Sequence, residues 1–388
     1  MAEWTKYKIS DIGTVVGGAT PSTKKSENYE NGDISWITPK DLSTFCGRYI
    51  KQGERNITET GYRSCSTQLL PRNSVLFSSR APIGYVAIAA KELCTNQGFK
   101  SVIPNENIDP LFLYYLLKYN KHNIESMGSG TTFKEVSANT MRNIIVFVPS
   151  DKRVQEKIAS ILGLLDNKIE ENERINNNLF QQAQALYKNR FIEMNPFNGK
   201  MPTDWHLGTA SEIIELHDSK RIPLSNRERT KLDKIYPYYG ATSVMDYVDR
   251  YIFDGIYLLL GEDGTVVDSK GFPILQYVAG KFWVNNHAHI ITGKEGFSVE
   301  SLYLLFSLTS VQSIVTGAVQ PKISQTNLNK VPVIVPSTAE LTAFDMVIQP
   351  IFTLIRNLRA ENERLATTRD TLLPRLMSGE LDVANIEI

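Results

Sequence analysis

From Asp151 onward the chain sets out a seam: Ile158, Leu162, Leu165, Ile169, Asn172, Asn176, Leu179, Ala183 and Leu186, in steps that alternate between four and three. That spacing belongs to a helix that buries one stripe against another helix. Ser150 is its expected N-cap, and Pro196 with Gly199 its expected end. A second run near the carboxyl end, Ile351, Ile355, Leu358, Asn362, Leu365, Arg369, Leu372 and Leu376, steps the same way. A helix of about 40 residues is about 60 Å long, and two such rods need cover for their apolar stripes. Antiparallel pairing with each other supplies it and brings Asn172 and Asn362 face to face. A buried Asn at such a position lowers stability but fixes register; the alternative leaves both on the exposed edge of an imperfect heptad.

The rest of the chain reads differently. Ser74 to Phe77, Tyr85 to Ala89, Tyr257 to Leu260 and Ala288 to Thr292 have the character of strands. Pro110 to Tyr119 and Leu302 to Leu308 keep the spacing of short helices. Gly17-Gly18, Pro71, Pro82 and Gly128-Ser129-Gly130 break the pattern. No regular strand–helix–strand alternation is present, so the globular parts are expected to be mixed α and β, not a doubly wound parallel sheet.

These parts also repeat. Trp4, Ser10, Asp11 and Ile12 return as Trp205, Ser211, Glu212 and Ile213; Val148-Pro149-Ser150 returns as Val335-Pro336-Ser337. Ser137, Met141 and Ile144 return as Ser324, Leu328 and Val331, and Glu171-Asn172-Glu173-Arg174 returns unchanged as Glu361-Asn362-Glu363-Arg364. A unit presented twice suits an extended, two-fold target, of which duplex DNA is the obvious candidate.

Charge at first opposes that expectation, because 42 Lys and Arg balance 42 Asp and Glu over 388 residues. Regionally, residues 1–150 carry 17 cations against 13 anions, and Lys220, Arg221, Arg227, Arg229, Lys231 and Lys234 form a local cationic stretch. Phosphate contact needs a basic face and not a basic protein. No 18-residue apolar run occurs, and Met1-Ala2-Glu3-Trp4 lacks the charged-then-apolar pattern of a leader. Cys46, Cys65 and Cys94 are odd in number with no metal-ligand spacing, as expected of reduced thiols in a cytoplasmic protein without a membrane anchor.

Several catalytic signatures are missing. There is no Asn/Asp-Pro-Pro-aromatic tetrapeptide, no Gly-rich cofactor loop, no phosphate-binding Gly-x4-Gly-Lys motif and no acidic-pair-plus-Lys nuclease pattern. Gly17-Gly18 and Gly261-Glu262-Asp263-Gly264 read as turns. A strand would set His287 and His289 on one face, but a metal site needs further ligands that lie nowhere near in sequence. Core or DNA-facing histidines are the expectation, with no catalytic residue, no metal and no cofactor.

Val148-Pro149-Ser150, Gln155-Glu156-Lys157-Ile158, Leu162, Leu165-Asp166 and Ile169 resemble the central conserved region of a type I restriction-modification specificity (S) subunit. So does the run from Leu372 to Leu381. Ser79-Arg80-Ala81-Pro82-Ile83-Gly84, Thr95 to Phe99, Tyr236 to Gly240 and Phe282 to His289 resemble segments of the family's target-recognition domains. The resemblance spans the whole chain in order. It implies an α+β fold with two pseudo-repeated recognition domains, residues 1–150 and 199–337. Two long helices, within 151–198 and 338–388, join them as an antiparallel coiled coil. It further implies reading of a bipartite double-stranded DNA site by a non-catalytic subunit. Its partners would be methyltransferase (M) subunits, two in number, which modify adenine, and ATP-dependent restriction (R) subunits. In one departure, the second half offers Glu340-Leu341-Thr342 where the first has Gln155-Glu156, so the two docking surfaces are not expected to be equivalent.

Reading bases takes paired donors or acceptors on loops that reach a groove. In the first half Lys24, Lys25, Lys40, Arg63, Ser79, Arg80, Gln97 and Lys134 are the candidates, with Arg80 suited to guanine and Gln97 to adenine. In the second half they are Lys220, Arg221, Tyr239, Asn285, His287 and Lys322, with Arg227 joining Lys220 and Arg221 at phosphates. Two competing classes are a self-contained nuclease or methyltransferase with a diverged site, and an adhesive coiled-coil protein without nucleic-acid function.

Overall fold

The computed structural model describes residues 3–80, 82–130, 134–317 and 319–383. Two compact units emerge: Met1–Asn172 with Glu361–Ile388, and Glu173–Ala360. The boundary cuts both long helices, Lys152–Tyr187 and Thr338–Met377, so each unit owns a piece of each.

The first unit opens with a two-stranded ribbon, Trp4–Lys8 against Ile145–Pro149, with Thr5 opposite Val148. The turn helix Ile9–Ile12 follows, and Ile9 donates its backbone N–H to the Ile144 carbonyl at 3.0 Å. A five-stranded sheet runs in the order Gly13–Gly17, Lys100–Pro104, Val75–Ser79, Ile83–Ala89, Tyr49–Ile50. A smaller sheet places Ile34–Ile37 between Arg55–Ile57 and Cys94–Thr95, the last pairing parallel. The helix Pro110–Tyr119 starts where Pro110 fixes φ, and the Asp109 carboxylate accepts from the Phe112 N–H at 2.7 Å. It buries Phe112 through Leu117 against the core.

The second unit repeats this plan, with its strands joined into one six-stranded sheet. Its ribbon is His206–Thr209 against Pro332–Val335 with His206 opposite Val335, and Ala210 donates to the Val331 carbonyl at 2.8 Å. Its sheet runs Ile214–Leu216, Ala288–Gly293, Phe253–Gly261, Leu275–Val284, then Tyr236–Tyr239 and Val244–Val248. Val75 lies opposite Ile88 and Val102, and Leu258 opposite Tyr277 and Ile291. Trp36 pairs parallel with Cys94, and Tyr238 parallel with Trp283. The short helix Val299–Ser307, capped by Ser298, matches Pro110–Tyr119. Strands expected from the apolar runs are present and reach a few residues further, because their outer ends are held by the sheet ladder. The architecture is mixed α and β with two repeated units.

Three details of the helices differ from the sequence reading. The first helix begins at Lys152, so its orphan N–H groups are met by Asp151, whose carboxylate accepts from the Arg153 N–H at 2.9 Å. Ser150 instead shares a 2.9 Å hydroxyl bond with Thr5. At the far end Leu186 is 40% exposed while Tyr187 is 4% exposed. The stripe there steps by four through Ala183, Tyr187 and Phe191, and a π-helical turn, Lys188–Ile192, ends it. Aromatic packing decides this slip: Phe191 and Tyr187 lie 4.9 and 5.7 Å from Phe344, and Phe191 lies 5.6 Å from Trp205. Finally, the partner of Gln155 in the second half is neither Glu340 nor Thr342 but Asp345. Gln155 accepts from the Asp109 N–H at 3.1 Å, at the start of one short helix. Asp345 accepts from Ser298 and Ser301 at 2.8 and 3.0 Å, at the start of the other. Burial pushes the Asp345 carboxyl up despite these two bonds.

By length and composition the second long helix could cross a membrane, yet Leu341, Phe344, Ile348, Phe352 and Ile355 are buried in the core of the second unit. The three cysteines are free, and burial pushes the Cys94 thiol up to about 11.

In each unit the residue numbers rise along one helix as they fall along the other. Asn172 donates to Asn362 and Glu361 at 2.9 Å each, while Asp166 takes the Arg369 guanidinium at 2.6 Å and the Tyr115 hydroxyl at 2.6 Å. In the second unit Glu300 takes Arg356 at 2.8 Å and the Tyr277 hydroxyl at 2.6 Å. Burial, then the neighbouring carboxylate, drives both phenols far above their usual range, so both stay donors at all working pH. Removing the shared acceptor strands a cation and a hydroxyl. Asp166→Ala is expected to cost about 3 kcal/mol, read as a lower urea midpoint of the full chain, whereas Asp370→Ala on the exposed side should move it by under about 0.5 kcal/mol.

Candidate nucleic-acid interface

One end of the core sheet gathers three segments in each unit. In the first, strand Val75–Ser79 ends beside the loop 96–98 and the foot of the hairpin at Ser129 and Glu135. The Ser79 N–H donates to the Gly98 carbonyl at 2.7 Å, and Val136 donates to the Ser79 carbonyl at 3.0 Å. Ser129 and Glu135 exchange backbone bonds of 3.0 and 2.9 Å. Asn96 makes an Asx turn, accepting from the Gly98 N–H at 2.8 Å. That turn leaves Gln97 exposed, where its amide oxygen accepts from the Thr20 hydroxyl. A Cβ at Gly98 would stand 2.7 Å from Pro39 Cγ, so the close approach of this loop to the start of the short helix Pro39–Ser43 requires glycine.

The second unit uses the same stitches. Glu262 donates its N–H to the His287 carbonyl at 2.8 Å, and Ile323 donates to the Glu262 carbonyl at 2.8 Å. Thr316 and Lys322 exchange bonds of 2.9 and 2.7 Å, and Asn285 makes the Asx turn to His287 at 2.8 Å. Ser79, Lys100 and Glu135 therefore stand where Glu262, His289 and Lys322 stand. The backbone is constant and the polar chemistry is not.

Within that frame the candidate readers separate. Arg80 lies half-exposed with Nη1 3.4 Å from Glu135, whose other oxygen is 3.3 Å from Lys100. Gln97 and Lys134 are exposed beside it. His287 is partly exposed, with Nδ1 2.5 Å from Asp263, and Lys322 reaches Glu262 at 3.2 Å. Tyr239 packs edge-on against Phe282, and its carbonyl accepts from the Asn285 N–H at 3.0 Å.

Three candidates are turned inward. Ser79 is fully buried, its hydroxyl 3.2 Å from the Gly98 carbonyl. Asn285 is buried by its own Asx turn, its amide 3.2 Å from Met245 Sδ, and the exposed side chain at the place of Gln97 is Asn286. Arg221 is only 14% exposed; it bonds Glu262 at 2.6 Å and the Ala288 carbonyl at 2.9 Å. Lys24, Lys25, Lys40 and Arg63 are exposed, the last three beside Glu27, Glu54 and Glu59. Lys220 and Arg227 are exposed, on the turn Asp218–Lys220 and the short helix Asn226–Arg229. Ala81 of the Ser79–Gly84 motif lies outside the described residues, as do Met1 and Ala2 of the amino-terminal pattern. Glu135, Lys100, Asp263 and Asn286 were not singled out from sequence; the repeated Asn-x-Gly and Asn-x-His turns were the available signal.

Asp218, Glu262 and His289 bring one ligand atom each within 4.8 Å of one another, the geometry of a metal site. Their donors are already used. His289 faces Asp218 at 2.6 Å through Nδ1 and the Ile323 carbonyl at 2.8 Å through Nε2, so satisfying both oxygens takes a proton on each nitrogen. Asp218 also accepts from Gln325 at 2.6 Å and from the Ile290 N–H at 2.9 Å. Burial opposes ionisation of Asp218 and of Glu262, but the bonds from His289 and Gln325 to the first, and from Arg221 and Lys322 to the second, hold both carboxyls below the usual range. These residues fit an internal ion-pair network that clamps the turn 217–221 to the hairpin foot.

A family profile described as the type I restriction modification DNA specificity domain matches residues 1–181 and 202–365, one copy for each unit. The chain belongs to this family. The type I restriction enzyme MjaIX specificity subunit of Methanocaldococcus jannaschii is 32% identical to this specificity-family chain, over 99% of the chain and 95% of its own length. The EcoprrI specificity subunit of Escherichia coli is 22% identical over 86% of the chain and 84% of its own. Among solved structures, the type I restriction-modification S subunit from M. genitalium shares the fold of this specificity-family chain with a TM-score of 0.56 at 17% identity, covering 97% of the chain and 96% of that protein.

Asp218 supplies the prediction. Its carboxyl sits lower folded than unfolded, so it adds stability above its ordinary value of 3.8 and loses it as pH falls through the depressed folded value. Asp218→Asn should lower the unfolding free energy by about 3 kcal/mol at pH 7. Its gap from wild type should close on acidification below pH 3.8, as followed by urea titrations across pH.

Proposed function

We propose that this chain is the DNA sequence-specificity subunit of a type I restriction-modification complex. Each unit reads one half of a bipartite duplex site. The chain itself is non-catalytic and works in the cytoplasm. Two methyltransferase subunits take their target from it, and ATP-dependent restriction subunits join the full assembly. The observation that carries this is the duplicated polar junction, one set of backbone bonds holding Arg80, Gln97 and Lys134 in one unit and Asn286, His287 and Lys322 in the other. A fixed frame with exchanged donors and acceptors is what reading two different half-sites demands.

The long helices act as a ruler, zipped antiparallel as a coiled coil, with Asn172 and Asn362 setting the register. Removing seven residues from each helix shortens the rod by about 10 Å, which is about three base pairs at about 3.4 Å each. Mapping methylated adenines in cells that express the shortened chain with its methyltransferase subunit should show the gap reduced and both half-sites kept. Altered half-sites across an unchanged gap would overturn the reading. Phosphate contact by Lys220 and Arg227 predicts a salt dependence of binding about two units shallower in the Lys220→Ala, Arg227→Ala double variant, with sequence preference unchanged.

A further inference from the structure

Arg80 and Asp263 occupy the same place in the two units, one residue beyond the strand-end positions Ser79 and Glu262 that make identical backbone bonds. Each belongs to an opposite-charge or acid–imidazole pair, and the partner differs. In the first unit the side chain of Arg80 is 36% exposed and its Nη1 lies 3.4 Å from Glu135, whose other oxygen Lys100 holds. Lys100 is 12% exposed and leans on the buried Ser79 hydroxyl at 3.4 Å, so the chain of contacts ends in the core. In the second unit Asp263 holds the ring of His287 at Nδ1, and the ring is 43% exposed. A carboxylate accepts only, so the shared proton sits on Nδ1 and Nε2 is the nitrogen left to face solvent.

Both arrangements fix an exposed polar head by a partly sheltered acid. An unrestrained Arg or His on a surface loses rotamer freedom when it meets a base edge, and holding it in advance reduces that cost. We propose that Glu135 with Lys100, and Asp263, are positioning residues for specificity: they aim Arg80 and His287 at single base pairs of the respective half-sites. Arg80 presents paired donors, the pattern that meets guanine in the major groove. In its neutral form, with the proton on Nδ1, His287 offers an acceptor through Nε2, which suits the exocyclic amine of adenine or cytosine.

This inference rests on the DNA-reading function proposed above, and the two-part site separates their failures. The full chain, assembled with its methyltransferase subunit, is assayed on duplexes carrying every single base-pair change of the site methylated by wild type. Glu135→Gln should relax discrimination at one position of one half-site by about tenfold, with the other half-site and the gap read as in wild type. Arg80→Lys should relax the same position, and Glu135→Asp should restore part of the discrimination. Asp263→Asn should act likewise on one position of the opposite half-site. The half-site read by the unaltered unit reports that each variant is folded. Unchanged discrimination overturns the proposal. So does relaxation by Arg80→Lys and Glu135→Gln at different positions, or an even fall in methylation at all duplexes, the mark of a merely structural role. A wild-type complex that marks no two-part site instead overturns the function itself, and this inference with it.

Discussion

Burying one stripe of a long helix against a mixed sheet is the constraint from which each unit is built. The short helices Pro110–Tyr119 and Val299–Ser307 are apolar on nearly every side, so they are stable only when sandwiched. The sandwich traps polar groups that must be answered in place. In one unit a phenol and a guanidinium share Asp166; in the other they share Glu300. The helix position of Asp166 corresponds to that of Arg356, 190 residues on, the offset of the repeated Glu-Asn-Glu-Arg. Sign is reversed at one place, and the acid moves to the short helix. Burial demands neutrality and hydrogen bonds, without dictating which element supplies which charge.

That freedom explains what was legible in the sequence. Periodicities of 3.6 and 2 report which faces are buried, so the long helices, the short helix Pro110–Tyr119 and the core strands were visible without coordinates. The repeat was visible because the ribbon and the first turn helix keep their residues. The slip from Leu186 to Tyr187 was hidden, since a heptad template weighs Leu and Tyr by spacing and not by the aromatic cluster waiting at Phe344 and Trp205. The role of Gln155 in the second half was hidden by an offset that changes from 187 to 190 at the helix start. Asp345, three residues later, takes it over.

Readers were less visible than frame. Asn285 and Asn286 are the same letter, and only the Asx turn tells which points inward. Arg221 carries full charge in a cationic stretch, yet it is consumed by Glu262 and backbone carbonyls. Composition records how many donors a segment owns; it does not record how many its own fold has already spoken for.

The charged triangle at each hairpin foot bears on how such a chain can change. With Ser79, Lys100 and Glu135 at the corners of one and Glu262, His289 and Lys322 at the other, each corner leans on its neighbours. Replacing Glu135 alone leaves the Arg80 and Lys100 cations without their shared acid, and replacing Glu262 alone does the same to Arg221 and Lys322, so a change of either acid calls for a second change beside it. Variation at these foot positions should therefore travel in correlated jumps from one self-consistent set to another, while the main chain beneath stays put.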